Sequence, residues 1–137
     1  MPEIKRIHHI AVLVEDIDQS LQFWRDILGI LPSHIADFPG EAARIAFLPL
    51  GESELELVQP TKADTGLSRF LEKHGPGMHH ICLQVNDLAG LLQQLKSRGV
   101  QLINDQPKLG EAGQLYAFIH PKSTQGVLVE LYQLAEK

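Results

Sequence analysis

Residues 7–29 read IHHIAVLVEDIDQSLQFWRDILG, and residues 78–99 read MHHICLQVNDLAGLLQQLKSRG. Laid over each other at one constant spacing, the two stretches share His8/His79, His9/His80, Ile10/Ile81, Val14/Val85, Asp16/Asp87, Leu21/Leu92 and Gln22/Gln93. Residues 7–14 and 79–85 are rich in Ile, Val and Leu and stop at a turn, which predicts a strand in each copy. Asp16 and Asp87 are good helix N-caps. Behind them, Ile17, Leu21, Trp24 and Leu28, and then Leu88, Leu91, Leu92 and Leu95, recur at helical spacing. Gly29 and Gly99 close the two helices.

The repeat extends outward from these segments. In the first half, residues 44–49 and 53–58 read as two strands joined by the turn at Leu50, Gly51 and Glu52, with a poorer strand near 33–36. In the second half, strands are predicted at 101–103, 114–120 and 126–132. Phe47 and Phe118 keep the constant spacing, and Glu56-Leu57 and Glu130-Leu131 match once the turn 120–126 is allowed a few extra residues. The expected fold class is α+β. It consists of two tandem βαβββ modules (about 5–60 and 78–134, with a linker at 61–77) in a single domain. Within the linker, Leu67, Phe70 and Leu71 stand at helical spacing.

A chain of 137 residues that is 44% apolar and 21% charged has the bounds of one ordinary domain or two small modules sharing a core. The formal charge of −5 argues against a nucleic-acid partner, because phosphate binding needs a concentrated basic surface. The N-terminal residues lack the apolar core of a secretion signal, and no stretch is long enough to span a bilayer, so no membrane partner is expected. The single cysteine, Cys82, leaves no internal disulfide and fits the reducing cytoplasm. Its simplest reading is a small buried hydrophobe.

Side chains alternate across a strand, and this sorts the histidines. In the first strand His8 falls with Ile10, Val12 and Val14, while His9 falls with Ala11 and Leu13. In the second copy His80 falls with Cys82 and Gln84, opposite the row of Ile81, Leu83 and Val85. The apolar rows need helices over them, and the smaller, more polar rows are expected to line a cleft. Glu56 projects opposite Leu55 and Leu57, and Glu130 opposite Val129 and Leu131. Each half thereby offers one His from its first strand and one Glu from its last.

Taken singly, a strand histidine is ordinarily a hydrogen-bonded structural residue, and an edge glutamate is ordinarily solvated. Recurrence in both halves favours metal ligation by His9, Glu56, His80 and Glu130. Two neutral imidazoles and two carboxylates suit a divalent ion such as Co, Zn, Ni or Mn. His8 and His79 are read as structural or as supports of the ligands. His34, His74 and His120 are read as structural.

The runs at 8–29, 46–61 (AFLPLGESELELVQPT), 70–88 (FLEKHGPGMHHICLQVNDL) and 118–133 (FIHPKSTQGVLVELYQ) resemble the vicinal oxygen chelate superfamily, which includes the glyoxalase, bleomycin-resistance and dioxygenase proteins. Within it they are most similar to the methylmalonyl-CoA epimerase family, and the HPKS turn followed by GVLVEL is the specific signal. The resemblance covers essentially the whole chain and implies that the two βαβββ modules form a curved, half-open mixed sheet around a metal-containing cleft. It implies interconversion of (2R)- and (2S)-methylmalonyl-CoA by α-proton abstraction through a metal-stabilised enolate, with an acyl-CoA substrate and a homodimeric state. It places the ligands on the same four residues and makes Glu130 the better candidate base, with Glu56 or Glu41 as the second. Lys122 and Ser123 could meet an anionic group of the substrate, and Lys108 is a weaker candidate for that role. A glyoxalase I-type lactoylglutathione lyase and a non-catalytic small-molecule-binding protein of the same fold are the alternatives.

Overall fold

The computed structural model describes residues 1–136. Eight strands and three α-helices follow in the order β1 (Ile4–Leu13), α1 (Ile17–Leu21), β2 (His34–Phe38), β3 (Ala43–Leu50), β4 (Ser53–Pro60), α2 (Gly66–His74), β5 (Gly77–Val85), α3 (Leu88–Ser97), β6 (Lys108–Leu109), β7 (Leu115–Ile119) and β8 (Val129–Gln133). The chain divides into two compact units. One is His9–His79, and the other comprises Met1–His8 with the residues from His80 onward. The fold is α+β, built on mixed, open sheets. None of the described helices is long and apolar enough to cross a membrane.

In the first unit the strands lie in the order β2-β3-β4-β1. β4 runs antiparallel to β3 and parallel to β1, with Ile10 opposite Leu55 and Ala11 opposite Glu56. Ile10, Val12 and Val14 pack with Ile17, Leu21, Ala46, Leu48, Leu55 and Leu57 beneath the first helix. Asp16 caps this helix, its carboxylate accepting the Asp18 and Gln19 N–H groups. The sequence predicts one α-helix as far as Gly29. Instead, after Leu21 the turns widen to π-helical over Gln22–Ile27, with the Leu28 N–H reaching the Phe23 carbonyl at 3.0 Å.

The other face of this unit departs from expectation. Ala11 and Leu13, expected to line a polar cleft, are fully buried. They sit in a second cluster with Ala43, Ile45 and Val58, packed against Leu67, Phe70 and Leu71. The linker helix α2, fixed at its start by a reciprocal cap between Thr65 and Ser68, covers that part of the sheet. Strand alternation assigns a residue to a face but does not show how far along the strand that face stays open.

In the second unit the order is β5-β8-β7-β6, with the first residues of β1 beside β5. Arg6 donates its Nε–H to Gln84 at 2.9 Å, and the His8 ring stacks on Tyr132 at 4.3 Å between centroids. β8 is parallel to β5, and Cys82 stands opposite Glu130. Val85, Leu88, Leu92, Ala117 and Leu131 form the core under α3, and Asp87 caps that helix by accepting the Gly90 N–H at 3.0 Å. Gly29 and Gly99 both end their helices at φ 80°, a left-handed conformation that glycine adopts without steric cost. The strand predicted at 101–103 is reduced to a single bridge between Leu102 and Ile119, and the edge strand is Lys108–Leu109. The Asn104 side chain takes up the Phe118 N–H at 2.9 Å, which turns the chain away after one bridge.

Replacing Asp87 by Ala removes the acceptor for the first-turn amide of α3. The expected loss is about 1 kcal/mol of stability, measured by urea denaturation, with no change in the slope of the transition.

Candidate metal centre

Parallel pairing of the first and last strands places a histidine and a glutamate together in each unit. In the first, His9 Nδ1 lies 3.3 Å from Glu56 Oε2, and the side chains are only 6% and 11% exposed. In the second, His80 Nε2 lies 3.0 Å from Glu130 Oε1, with both side chains 12% exposed. The structure thus brings together the predicted ligands of each half. A carboxylate so far out of water is costly unless positive charge or donors face it. An imidazole nitrogen and a carboxylate oxygen at such a separation are a donor set that a divalent ion of the Zn, Co, Ni or Mn type accepts. The residues present therefore fit such an ion.

Aromatic rings flank both pairs. Phe118 stands opposite Glu130 in the β7–β8 ladder and packs edge-on against the His80 ring, with centroids 5.6 Å apart. Phe47 stands opposite Glu56 in the β3–β4 ladder and stacks on His34 at 4.3 Å. Both thus set an aromatic ring on the strand beside the one that carries the glutamate. The sequence carried their signal, because they keep the constant spacing of the repeat, but spacing alone gave them no role. His79, read as structural or as a support of the ligands, packs edge-on against Phe70.

The other residues singled out by the sequence lie in turns, on an edge strand and in the core. His120 caps the short 3₁₀ turn Pro121–Thr124, its Nδ1 accepting the Lys122 N–H at 3.0 Å. Ser123 Oγ in that turn accepts the Gln101 N–H at 2.8 Å, so it anchors the preceding segment. Lys122 is exposed. Glu41 is exposed at the end of the 3₁₀ turn Pro39–Glu41, just before Ala42 in a left-handed conformation at φ 51°. Lys108 is exposed on β6 opposite Tyr116. Cys82 is fully buried, as a small hydrophobe would be.

The model of the Glyoxalase/Bleomycin resistance protein/Dioxygenase superfamily matches residues 8–118. The mitochondrial methylmalonyl-CoA epimerase of Mus musculus is 35% identical over 132 residues, 96% of this chain and 74% of that protein. The ethylmalonyl-CoA/methylmalonyl-CoA epimerase of Cereibacter sphaeroides is 33% identical over 96% of this chain and 99% of its own length. A Streptomyces coelicolor methylmalonyl-CoA epimerase variant, solved in complex with 2-nitronate-propionyl-CoA, superposes with a TM-score of 0.87 at 32% identity, covering 97% of this chain and 96% of that one. The chain belongs to the glyoxalase/bleomycin resistance/dioxygenase superfamily. Within it, the chain groups with the methylmalonyl-CoA epimerases and is an enzyme of the epimerase type.

His120→Phe leaves the Lys122 N–H without its acceptor. The expected cost is about 1 kcal/mol, measured by thermal unfolding.

Proposed function

We propose that the chain interconverts (2R)- and (2S)-methylmalonyl-CoA, with one divalent ion (Co, Zn, Ni or Mn) held by His9, Glu56, His80 and Glu130. The observation that carries this reading is the same construction in both units, a nearly buried His/Glu pair on two parallel strands. The names and the identities of the relatives supply the substrate.

The chemical difficulty is the weak acidity of a carbon-bound hydrogen between a thioester and a carboxylate. A divalent ion supplies positive charge beside the oxygen on which negative charge develops. Glu130 removes the α-proton, because its low exposure keeps water from competing for the carboxylate. Phe118 and His80 fix its position. Inversion requires proton delivery to the opposite face, and Glu56 or Glu41 takes that part. Lys122 and Ser123 in the Pro121–Thr124 turn meet an anionic group of the acyl-CoA. The full chain acts as one domain, as a cytoplasmic homodimer. Exposed Phe23, Ile27, Leu28 and Leu31 in and after the π-helical segment favour self-association, and a buried, reduced Cys82 fits the compartment.

Two measurements test the reading. Incubated in deuterium oxide with metal and methylmalonyl-CoA, the enzyme is expected to exchange the α-hydrogen, followed by proton NMR. Chelation should stop the exchange, and turnover confined to the methylglyoxal–glutathione adduct would replace the epimerase reading with a glyoxalase one. Glu130→Gln should lower kcat/KM by at least about 100-fold, through loss of the base. His80→Ala should weaken metal binding by a comparable factor, and a variant with undiminished affinity would remove His80 from the ligand set.

A further inference from the structure

Beyond the ligands, a second pair repeats. Gln59 and Gln133 each stand three positions after the glutamate of their strand. Period-two alternation therefore sends the glutamine to the helix face and the glutamate to the opposite face. Gln59 Oε1 accepts the Ile17 N–H at 2.9 Å, and Gln133 Oε1 accepts the Leu88 N–H at 2.7 Å. Ile17 and Leu88 are the first residues of α1 and α3, and their amides are not the ones that the Asp16 and Asp87 carboxylates take up. They also lie equally far downstream of His9 and His80.

Each unit therefore joins its two ligand-bearing strands at two points, by the His–Glu pair on one face and by the Gln–helix bond on the other. A parallel ladder has evenly spaced hydrogen bonds and no hairpin to set its register. A slip of one residue would turn the glutamate to the helix side. A slip of two would keep its face but move it about 7 Å along the histidine strand, out of the diagonal pairing seen here. The glutamine reaches the first helical amide only in the observed register, with Ala11 opposite Glu56 and Cys82 opposite Glu130.

We propose that Gln59 and Gln133 are positioning residues that lock the register between the histidine strand and the glutamate strand, and so set the geometry of the metal ligands. The proposal rests on the reading of His9, Glu56, His80 and Glu130 as metal ligands. It is tested by titrating the protein with Co(II) alone and following the visible d–d absorption, with thermal unfolding of the metal-free protein alongside. Gln133→Leu should weaken Co(II) binding about tenfold and alter the absorption envelope. Gln133→Glu keeps an acceptor oxygen at the helix N-terminus and should restore both.

Gln59→Leu repeats the test in the other unit. Should either Leu variant fail to fold, Gln133→Asn, too short to reach the amide, takes its place against Gln133→Glu. A lower melting temperature with unchanged Co(II) affinity and spectrum would reduce the glutamines to helix caps and overturn the proposal, as would equal impairment in Gln133→Glu. Loss of the wild-type Co(II) signal in His80→Ala confirms that the spectrum reports the ligands. Its persistence there sinks the metal reading itself, and the role of the glutamines with it.

Discussion

A carboxylate withdrawn from water imposes a condition on everything around it. Glu56 and Glu130 are close to fully buried, and each needs a partner delivered to within hydrogen-bond reach. The partner comes from a strand far away in sequence, so the sheet must hold the two strands in fixed register. A parallel pair meets this need only through a crossover connection, which in each unit runs through the first helix and the two strands that follow it. The helix in turn needs an apolar row beneath it, which Ile10, Val12 and Val14 provide in one unit and Leu83 and Val85 in the other. Burial of a charge, strand order and helix packing are therefore consequences of one another.

Much of this is legible in the amino-acid sequence alone. The doubled His-His segment marks two copies of one plan, and alternation along β1 and β5 separates His9 and His80 from His8 and His79. The same alternation on the closing strands finds Glu56 and Glu130. These readings hold because strand parity is a local property of the backbone. The features that escape the sequence are non-local. Nothing in the row of Ala11 and Leu13 says that α2, arriving from the linker, will bury it. The strand expected at 101–103 is lost for a similar reason. Its residues suit a strand, but the Asn104 side chain takes the Phe118 amide and leaves a single bridge.

The site is legible unevenly. Residue type and face reveal the His/Glu pairs, while Phe118 against the His80 ring and the Gln133 bond to α3 become visible only with tertiary distances. His120 illustrates the converse. Beside the HPKS turn it has the look of a functional histidine, yet its ring nitrogen is the cap of that turn. Its place in the signature run reflects the need to build the turn before the chain re-enters β8.

The π-helical segment also bears on the history of the two halves. From Asp16 to Gly29 the first helical segment is one residue longer than its counterpart from Asp87 to Gly99. Within the helical segments the identities shared by the two copies end at Gln22 and Gln93, and the widened turns begin at Gln22. A π turn spaces its hydrogen bonds one residue further apart than an α turn, so it absorbs a single inserted residue without rotating the helix beyond it. The helix can therefore carry Trp24 and Ile30 against the same core while its outer side chains are renumbered. After duplication, such an insertion would let one copy drift in surface chemistry while its buried frame stayed in phase with the other.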